Sequence, residues 1–415
     1  DRAVLALLPP GGAATGPAPL AAILEPVSES SDLADIVLLG NNGQTLAKLN
    51  DTDLPELVRL VDVNRDGHFE LLLPRFATLQ LIGLGIGDSE YIEEWEYALD
   101  AAPTAALVID LDKDGEDDVV IGTRDGRLHS LGVDRTIRWL HAPGEEIAML
   151  AGVRHAVSEP PRVVVVRRQR LEEGATGGRA SWLELREASG ERMWVDALPF
   201  EITALAVDDR SSAAQPTILI GGSGGQVTAY DLSGNALWEL VLADLEGGVR
   251  QLLLHDRPGE EPDQLLVSGQ QSIYSLTPGE AGMTATPFTT FGQPIETMYS
   301  MRPADGRQLA VNVVVFLKDG TLHGLSSRGV EMTQWSWPFR LDSRPAATAI
   351  SGEGASEAFQ ENVSAFLVAT ESGVLEQVTI VDGQPMVSWR LTGLGPLKAV
   401  AWDDLDKDGR PDTGL

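Results

Sequence analysis

A repeat of about 49 residues constrains what this chain can fold into. Each copy begins with an apolar, strand-like run, passes an acidic or polar turn, and continues into a second apolar run that ends in Gly; the clearest copies cover residues 105–140 and 202–242. The aligned turns span 342 residues in seven intervals, which gives about 49 residues per copy. They lie near Asp62, Asp110, Ser158, Asp208, Asp256, Pro303, Gly352 and Asp404. This period predicts an array of similar units that pack against their neighbours.

The residues within each copy predict β-strands. Short β-branched runs such as RVVVV and VNVVVFL alternate with Gly, Asp and Asn, and no amphipathic helix of ten or more residues stands out. Four short strands per unit fit a closed β-propeller or an open β-solenoid, and closure removes exposed sheet edges. We therefore predict an all-β, closed β-propeller of eight four-stranded antiparallel blades, with seven blades as the alternative. The last copy stops after its first strand, so we expect the terminal blade to be shared between the N- and C-termini.

We expect a single propeller domain over residues 1–415, because the repeat runs through nearly the whole chain. The expected units lie near 20–57, 58–101, 103–145, 147–200, 202–244, 249–292, 295–341, 347–391 and 397–415.

Composition narrows the classes of partner and compartment. The net charge of −31, from 62 acidic against 31 basic residues, argues against nucleic acid or an anionic membrane surface. Cysteine is absent, which excludes disulfides and thiolate metal sites. No uncharged apolar run of 18 residues exists, so we expect no membrane insertion of this portion. The sequence starts at Asp1 without Met, as expected of a mature or trimmed soluble portion. We expect an extracytoplasmic protein that is secreted, periplasmic or held at the cell surface, or the soluble part of a longer anchored protein.

Three acidic loops share one spacing. Residues 62–70 (DVNRDGHFE), 110–118 (DLDKDGEDD) and 404–412 (DLDKDGRPD) place side-chain oxygens at positions 1, 3, 5 and 9, and Gly at position 6. Ca²⁺ takes six to eight oxygens at about 2.3–2.6 Å, and a tight loop can supply them from alternate residues. An EF-hand would need a Glu at position 12 and flanking helices, whereas strand-like sequence follows here. We expect calcium sites, with a solvated Asp-Gly turn as the alternative at each loop.

An acidic residue at position 9 directly before a strand resembles the FG-GAP or VCBS repeat family, whose units build the integrin α-subunit propeller. The resemblance implies two to three structural Ca²⁺ ions, and it covers the ion motif in three units only. It implies side-chain ligands from each loop and backbone carbonyl ligands at position 7. These residues are Asp62, Asn64, Asp66, Glu70 and the carbonyl of His68; Asp110, Asp112, Asp114, Asp118 and the carbonyl of Glu116; and Asp404, Asp406, Asp408, Asp412 and the carbonyl of Arg410.

A second pattern links the third and fourth strands of many units. A Gly turn is followed by Trp, as in the Gly190–Trp194 and Gly234–Trp238 segments, and these endings resemble quinoprotein-like propeller repeats. A large aromatic residue at one place in each repeat is expected to fill the layer of core between blades. Stacking of one Trp on a ligand is the alternative.

The sequence favours a binding scaffold over an enzyme. The six His residues show no metal-ligand spacing, and His129 and His323 occupy the same place in their repeats, which favours packing. We expect a non-catalytic scaffold that binds a protein or glycan through its blade loops, and the sequence leaves the oligomeric state undefined. The alternative is a carbohydrate-active propeller enzyme, a polysaccharide lyase or hydrolase, because 62 acids allow many catalytic pairs. A basic insertion at 167–180 is expected to be a partner-binding loop or a solvated hairpin tip.

Overall fold

The structure is a computed structural model, and every regular element in its described part is a β-strand. The described residues contain 32 strands in eight four-stranded antiparallel sheets. The described residues are 20–24, 34–39, 45–52, 59–61, 70–75, 78–83, 92–155, 158–170, 179–209, 215–255, 264–279, 282–301, 311–336, 346–349, 363–369, 374–381, 384–392 and 397–400.

The chain forms two compact units. The first unit comprises Asp1–Asp100, Glu296–Ala355 and Gln360–Leu415, and the second comprises Ala101–Ile295 and Ser356–Phe359. No described helix is long and apolar enough to span a membrane.

The first unit holds four sheets. Its strands are β1 (Leu20–Leu24), β2 (Ala34–Leu39), β3 (Thr45–Thr52), β4 (Arg59–Val61), β5 (Glu70–Arg75), β6 (Thr78–Gly83), β7 (Ile92–Ala98), β24 (Ile295–Ser300), β25 (Val313–Leu317), β26 (Thr321–Leu325), β27 (Glu331–Ser336), β28 (Ala346–Ala349), β29 (Val363–Ala369), β30 (Val374–Val381), β31 (Gln384–Thr392) and β32 (Leu397–Val400). Three sheets are simple meanders in chain order, β4–β7, β24–β27 and β28–β31. The fourth has the order β3-β2-β1-β32.

This fourth sheet joins the two ends of the chain. Strand β1 pairs with β2 on one side and with the C-terminal strand β32 on the other, with Ala22 opposite Val400 and Ile23 opposite Ala399. The prediction that the terminal blade is shared between the termini is therefore confirmed. With this sheet, the described sheets number eight, as predicted.

The second unit holds the other four sheets, each a meander in chain order. Its strands are β8 (Pro103–Ile109), β9 (Asp118–Thr123), β10 (Leu128–Leu131), β11 (Ile137–His141), β12 (Glu146–Val153), β13 (Arg162–Arg168), β14 (Ser181–Arg186), β15 (Arg192–Leu198), β16 (Ile202–Asp208), β17 (Thr217–Gly222), β18 (Gln226–Tyr230), β19 (Ala236–Val241), β20 (Gln251–His255), β21 (Gln264–Ser268), β22 (Ser272–Gly279) and β23 (Gly282–Thr290). The fourth strand of each sheet lies at a sheet edge.

The inner strands of the second unit bury both faces. In β13, Val163 and Val165 pack in one cluster with residues of β8 and β9, while Val164 and Val166 pack in another with residues of β17. Side chains of a strand alternate between its two faces, so one valine run fills two core layers. This explains why the run is continuously apolar: the sheet that contains β13 lies between two apolar layers.

Tryptophans of the fourth strands connect consecutive sheets of the second unit. The indole N–H of Trp139 on β11 donates to the carbonyl of Ala188 at 2.8 Å, and that of Trp194 on β15 donates to the carbonyl of Leu232 at 3.0 Å. Each acceptor lies in the turn before the fourth strand of the next sheet. A Cβ atom on Gly190 would lie 2.6 Å from the Trp139 ring, and one on Gly234 would lie 2.9 Å from the Trp194 ring. The expected packing role is confirmed for these two residues, and glycine is required because the ring covers the turn.

Replacing Trp194 with Ala is expected to lower the free energy of unfolding by about 3–5 kcal/mol, because a large contact between sheets and a hydrogen bond are lost. Urea unfolding followed by circular dichroism measures the change. The matched control is Val195→Ala on the same strand, where a side chain that is 40% exposed is shortened and the effect should stay within about 0.5 kcal/mol. Equal unfolding midpoints for the two variants would contradict the connecting role of Trp194.

Candidate metal-binding loop

Residues 110–117 form the loop between β8 and β9, and both its ends are anchored. Leu111 is buried in the apolar cluster that β8 and β9 share with β13. The backbone N–H of Leu111 donates to Oδ2 of Asp118 at 3.0 Å, and Asp118, the first residue of β9, is itself buried. The loop thus leaves one inner strand and enters the next across a fixed base.

Asp side chains organise the rest of the loop. Oδ2 of Asp110 accepts a hydrogen bond from the N–H of Gly115 at 3.2 Å, and Oδ1 of Asp114 accepts one from the N–H of Glu116 at 2.9 Å. Gly115 has φ +97°, a left-handed conformation that side chains rarely adopt, which is the sharp turn expected at position 6. The spacing of the motif therefore produces a tight, inwardly bonded loop.

Three carboxylates of the loop converge. Asp110, Asp112 and Asp114 each offer an oxygen, and the three oxygens lie within 4.8 Å of one another. Oxygens of this kind and spacing suit a hard cation such as Ca²⁺, with the carbonyl of Glu116 as the expected further ligand. The donor set at positions 1, 3 and 5 thus fits the predicted ion.

An arginine from the outer strand lies against the same loop. The guanidinium of Arg138 on β11 contacts Oδ2 of Asp112 at 2.8 Å, Oδ2 of Asp114 at 3.3 Å and Oδ1 of Asp118 at 3.0 Å. The turn from β10 to β11 lies at the same end of the sheet as the β8–β9 loop, and this places Arg138 within reach. Part of the negative charge of the loop is therefore balanced by a side chain of the protein.

The sequence did not identify Arg138. The residue stands 20 positions after Asp118, and its relation to the loop depends on the fold of the meander rather than on local spacing. The available signal is topological: in a four-stranded meander, the start of the fourth strand and the loop between the first two strands share one end of the sheet. A basic residue at the start of the fourth strand therefore lies close enough to form ion pairs with an acidic loop between the first two strands.

The pKa values of these groups follow from their contacts. The backbone hydrogen bond from Glu116 is the main cause that holds the pKa of Asp114 below its ordinary value, and Arg138 adds to it. Burial raises the pKa of Asp118, although the hydrogen bond from Leu111 and the charge of Arg138 oppose the increase. Burial would lower the pKa of Arg138, but the neighbouring carboxylates, Asp118 first, outweigh it and raise that pKa. Arg138 is thus a permanent cation in this loop.

The other two acidic loops lie outside the described residues. For 62–70, only Glu70 is described, as the first residue of β5, and its side chain is not. For 404–412, the described chain ends at Val400 of β32. The expected ligands Asp62, Asn64, Asp66 and His68, and those at Asp404, Asp406, Asp408, Arg410 and Asp412, stay predictions.

Two arginines at the start of the basic insertion have structural contacts. Arg167 on β13 is buried, pairs with Glu184 at 3.2 Å and with Glu145, and lies over the ring of Trp182 at 5.5 Å. Arg168 pairs with Glu146 at 2.6 Å and also, at 3.1 Å, with Glu201. Residues 171–178 of the insertion lie outside the described residues. These two positive charges are therefore paired with carboxylates of the protein itself.

The two His residues at equivalent places in their repeats lie in strands, as expected. His129 on β10 is buried, and burial lowers its pKa. His323 on β26 is buried and bonds through Nδ1 to Oε2 of Glu331 at 2.6 Å. Both observations fit the packing role.

Comparison with known proteins identifies the fold and not the family. No protein-family model matches the chain, and no curated protein sequence matches it. Among solved structures, it resembles Sqt1 from Chaetomium thermophilum bound to the N-terminus of ribosomal protein L10, with a TM-score of 0.59 and 12% identity over 89% of this chain and 97% of that chain. It also resembles apo AztD from Citrobacter koseri, with a TM-score of 0.55 and 12% identity over 93% of this chain and 98% of that chain. These structures are β-propellers, and the present chain has the β-propeller fold.

Replacing Asp118 with Ala is expected to lower the free energy of unfolding by about 2 kcal/mol, because the buried N–H of Leu111 and the Arg138 guanidinium lose an acceptor. Asp118→Asn keeps an oxygen for Leu111 and should fall between this variant and the wild type. Glu116→Ala is the control, since its exposed side chain should change stability by at most about 0.5 kcal/mol. Urea unfolding at neutral pH measures all three, and equal values for Asp118→Ala and Glu116→Ala would contradict the anchoring role.

Proposed function

We propose that this chain is a calcium-stabilised, non-catalytic β-propeller that acts outside the cytoplasm as a scaffold for a protein partner. In this proposal its acidic loops are of the FG-GAP or VCBS type. The fold provides a rigid body, the loops hold structural ions, and the outer strands and loops of the blades meet the partner.

The calcium part of the proposal is supported by the convergence of Asp110, Asp112 and Asp114. Bound Ca²⁺ would neutralise these carboxylates and hold the turn between β8 and β9. The same spacing extends the proposal to the loops at 62–70 and 404–412. An ion that binds only the folded chain stabilises it in proportion to the logarithm of its concentration. Loops that depend on weak binding suit the high calcium concentration outside cells, which supports an extracytoplasmic location.

Exposed aliphatic side chains on the fourth strands carry the partner proposal. Leu237 and Val241 on β19 are 53% and 61% exposed, and further exposed side chains lie on β11 and β15. These are Ile137, Leu140, Met193 and Val195. Large aliphatic groups on consecutive outer strands favour a protein surface over a glycan, because glycans are usually met by aromatic rings and polar groups. Both Trp139 and Trp194 are engaged between sheets instead.

Strand β19 is the outer strand best suited to take another strand. It pairs with β18 on one side, no described strand pairs with its other side, and Glu239 is its only charged residue. Exposed edge strands are usually protected against pairing with another chain by charged residues, especially Lys, or by Pro, and β19 has little of this protection. Its neighbours differ: Pro287 interrupts β23, and β15 carries Arg192 and Asp196.

The charge around β19 indicates a cationic occupant. No Lys, Arg or His occurs between Arg210 and Arg250, whereas four acidic residues do, Asp231, Glu239, Asp244 and Glu246. An extended segment of a partner that alternates basic and apolar residues would add backbone hydrogen bonds to β19 and charge complementarity to Glu239. The similar Sqt1 structure has that protein bound to the N-terminus of ribosomal protein L10, so a propeller can bind a terminal segment of another protein.

Calcium is expected to raise the melting temperature of the wild type and EDTA to lower it. A concentration one hundred times the dissociation constant corresponds to about 2.7 kcal/mol of added stability per ion. Magnesium at equal concentration should have a smaller effect, because it demands a tighter octahedral site. Differential scanning calorimetry measures the melting temperature under each condition. A melting temperature that EDTA leaves unchanged would contradict the calcium proposal.

The docking surface can be tested with a fluorescent peptide of about ten residues that alternates Val and Lys. We expect it to bind the wild type and to lose at least about tenfold affinity for a Leu237→Lys/Val241→Lys variant, because that variant repels it and removes apolar contacts. Fluorescence anisotropy measures binding. Val330→Lys, at an exposed turn residue of the other unit, is the control and should bind as the wild type does. Equal binding of a Val/Glu peptide, or no loss in the double variant, would contradict the assignment.

A further inference from the structure

Arg138 supplies a positive charge at the place where the β8–β9 loop would need a cation. Its guanidinium reaches oxygens of Asp112, Asp114 and Asp118, three of the four acidic positions of the motif. An arginine has five N–H donors and stays charged at any pH at which the protein is folded. The loop therefore has an internal counter-ion, which offsets part of the repulsion among its carboxylates.

We propose that Arg138 competes with the divalent cation for this loop: the arginine holds the loop when no ion is bound, and the ion displaces it. This inference rests on the calcium proposal above. Ca²⁺ needs six to eight oxygens. Two oxygens contacted by Arg138 belong to Asp112 and Asp114, which also form the converging cluster. The two cations therefore require the same carboxylates, and the guanidinium would repel an ion beside it.

The surroundings of Arg138 allow the exchange. Its side chain is 35% exposed, so the guanidinium can move into water without crossing the core. Gly132, in the turn before β11, leaves room for the arm: a Cβ atom there would lie 3.2 Å from Nε of Arg138. Two hydrogen bonds of the loop, Leu111–Asp118 and Gly115–Asp110, do not involve Arg138 and shape the backbone with or without it. Departure of the arginine thus leaves a formed loop.

The neighbouring repeat differs at this position. Trp95 on β7 pairs with Leu81 on the third strand, as Trp139 on β11 pairs with Ser130, and the residue before Trp95 is Glu94. The repeat that contains the 62–70 motif therefore carries an acid where the 103–141 repeat carries Arg138. Of these two repeats, only the one with the 110–118 loop carries the competing arginine, so this loop should bind calcium more weakly than its charge alone indicates.

Isothermal titration of the full chain with CaCl₂ tests the exchange. Arg138→Gln is expected to bind one ion at least about tenfold more tightly than the wild type, because the competitor is removed. Without metal, the same variant should melt at a lower temperature than the wild type, and saturating calcium should close that gap. Arg192→Gln, an exposed arginine on the outer strand β15, is the matched control and should change neither quantity. Adding Asp112→Asn and Asp114→Asn should abolish the gain in affinity.

The outcomes separate the two proposals. If calcium binds the wild type at a site that the Asp112→Asn/Asp114→Asn pair removes, and Arg138→Gln binds it with equal or weaker affinity, the exchange is overturned and the calcium site stands. If no calcium binding in either protein depends on Asp112 and Asp114, the calcium site at this loop fails together with the exchange. Tighter binding in Arg138→Gln that depends on these two carboxylates supports both.

Discussion

Burial of both faces of each inner strand is the constraint on which this structure depends. A four-stranded sheet of this composition cannot cover its own apolar faces, so consecutive sheets share core layers, as the sheets β12–β15 and β16–β19 do within the second unit. The valine run of β13 shows this directly, since alternate residues fill two different core layers. The tryptophan contacts at Gly190 and Gly234 then connect the outer strands, where the apolar layers end.

The acidic loop belongs to this packing rather than standing apart from it. Leu111 lies in the shared core and Asp118 is buried at the start of β9, so the charged residues between them are carried on a base that the core determines. Because the loop is fixed at both ends, its carboxylates stay close and their repulsion must be offset by a positive charge. Arg138 meets that need in the structure, and a bound ion would meet it from solution.

The repeat and its chemistry could be predicted from the sequence because both are local or periodic. The repeat period predicted the number of sheets, and the short apolar runs predicted the strands. The Gly turns followed by Trp predicted the packing between sheets. The spacing of Asp110, Asp112, Asp114 and Gly115 predicted a tight loop with converging oxygens. The contacts of Arg138 with the loop and with Asp118 could not be predicted in this way, because they depend on the end of the sheet at which a strand distant in sequence begins. The exposure of the side chains and of the free edge of β19 likewise could not be predicted, because it depends on the place of this strand in the folded sheet.

A crystal structure of the full chain with calcium, recorded at an X-ray wavelength where calcium scatters anomalously, is the most direct test of cation exchange at the β8–β9 loop. We expect an anomalous peak within about 2.3–2.6 Å of oxygens of Asp110, Asp112 and Asp114, with the Arg138 guanidinium turned away from the loop. A loop without such a peak at saturating calcium, with Arg138 still paired to Asp112 and Asp114, would contradict it.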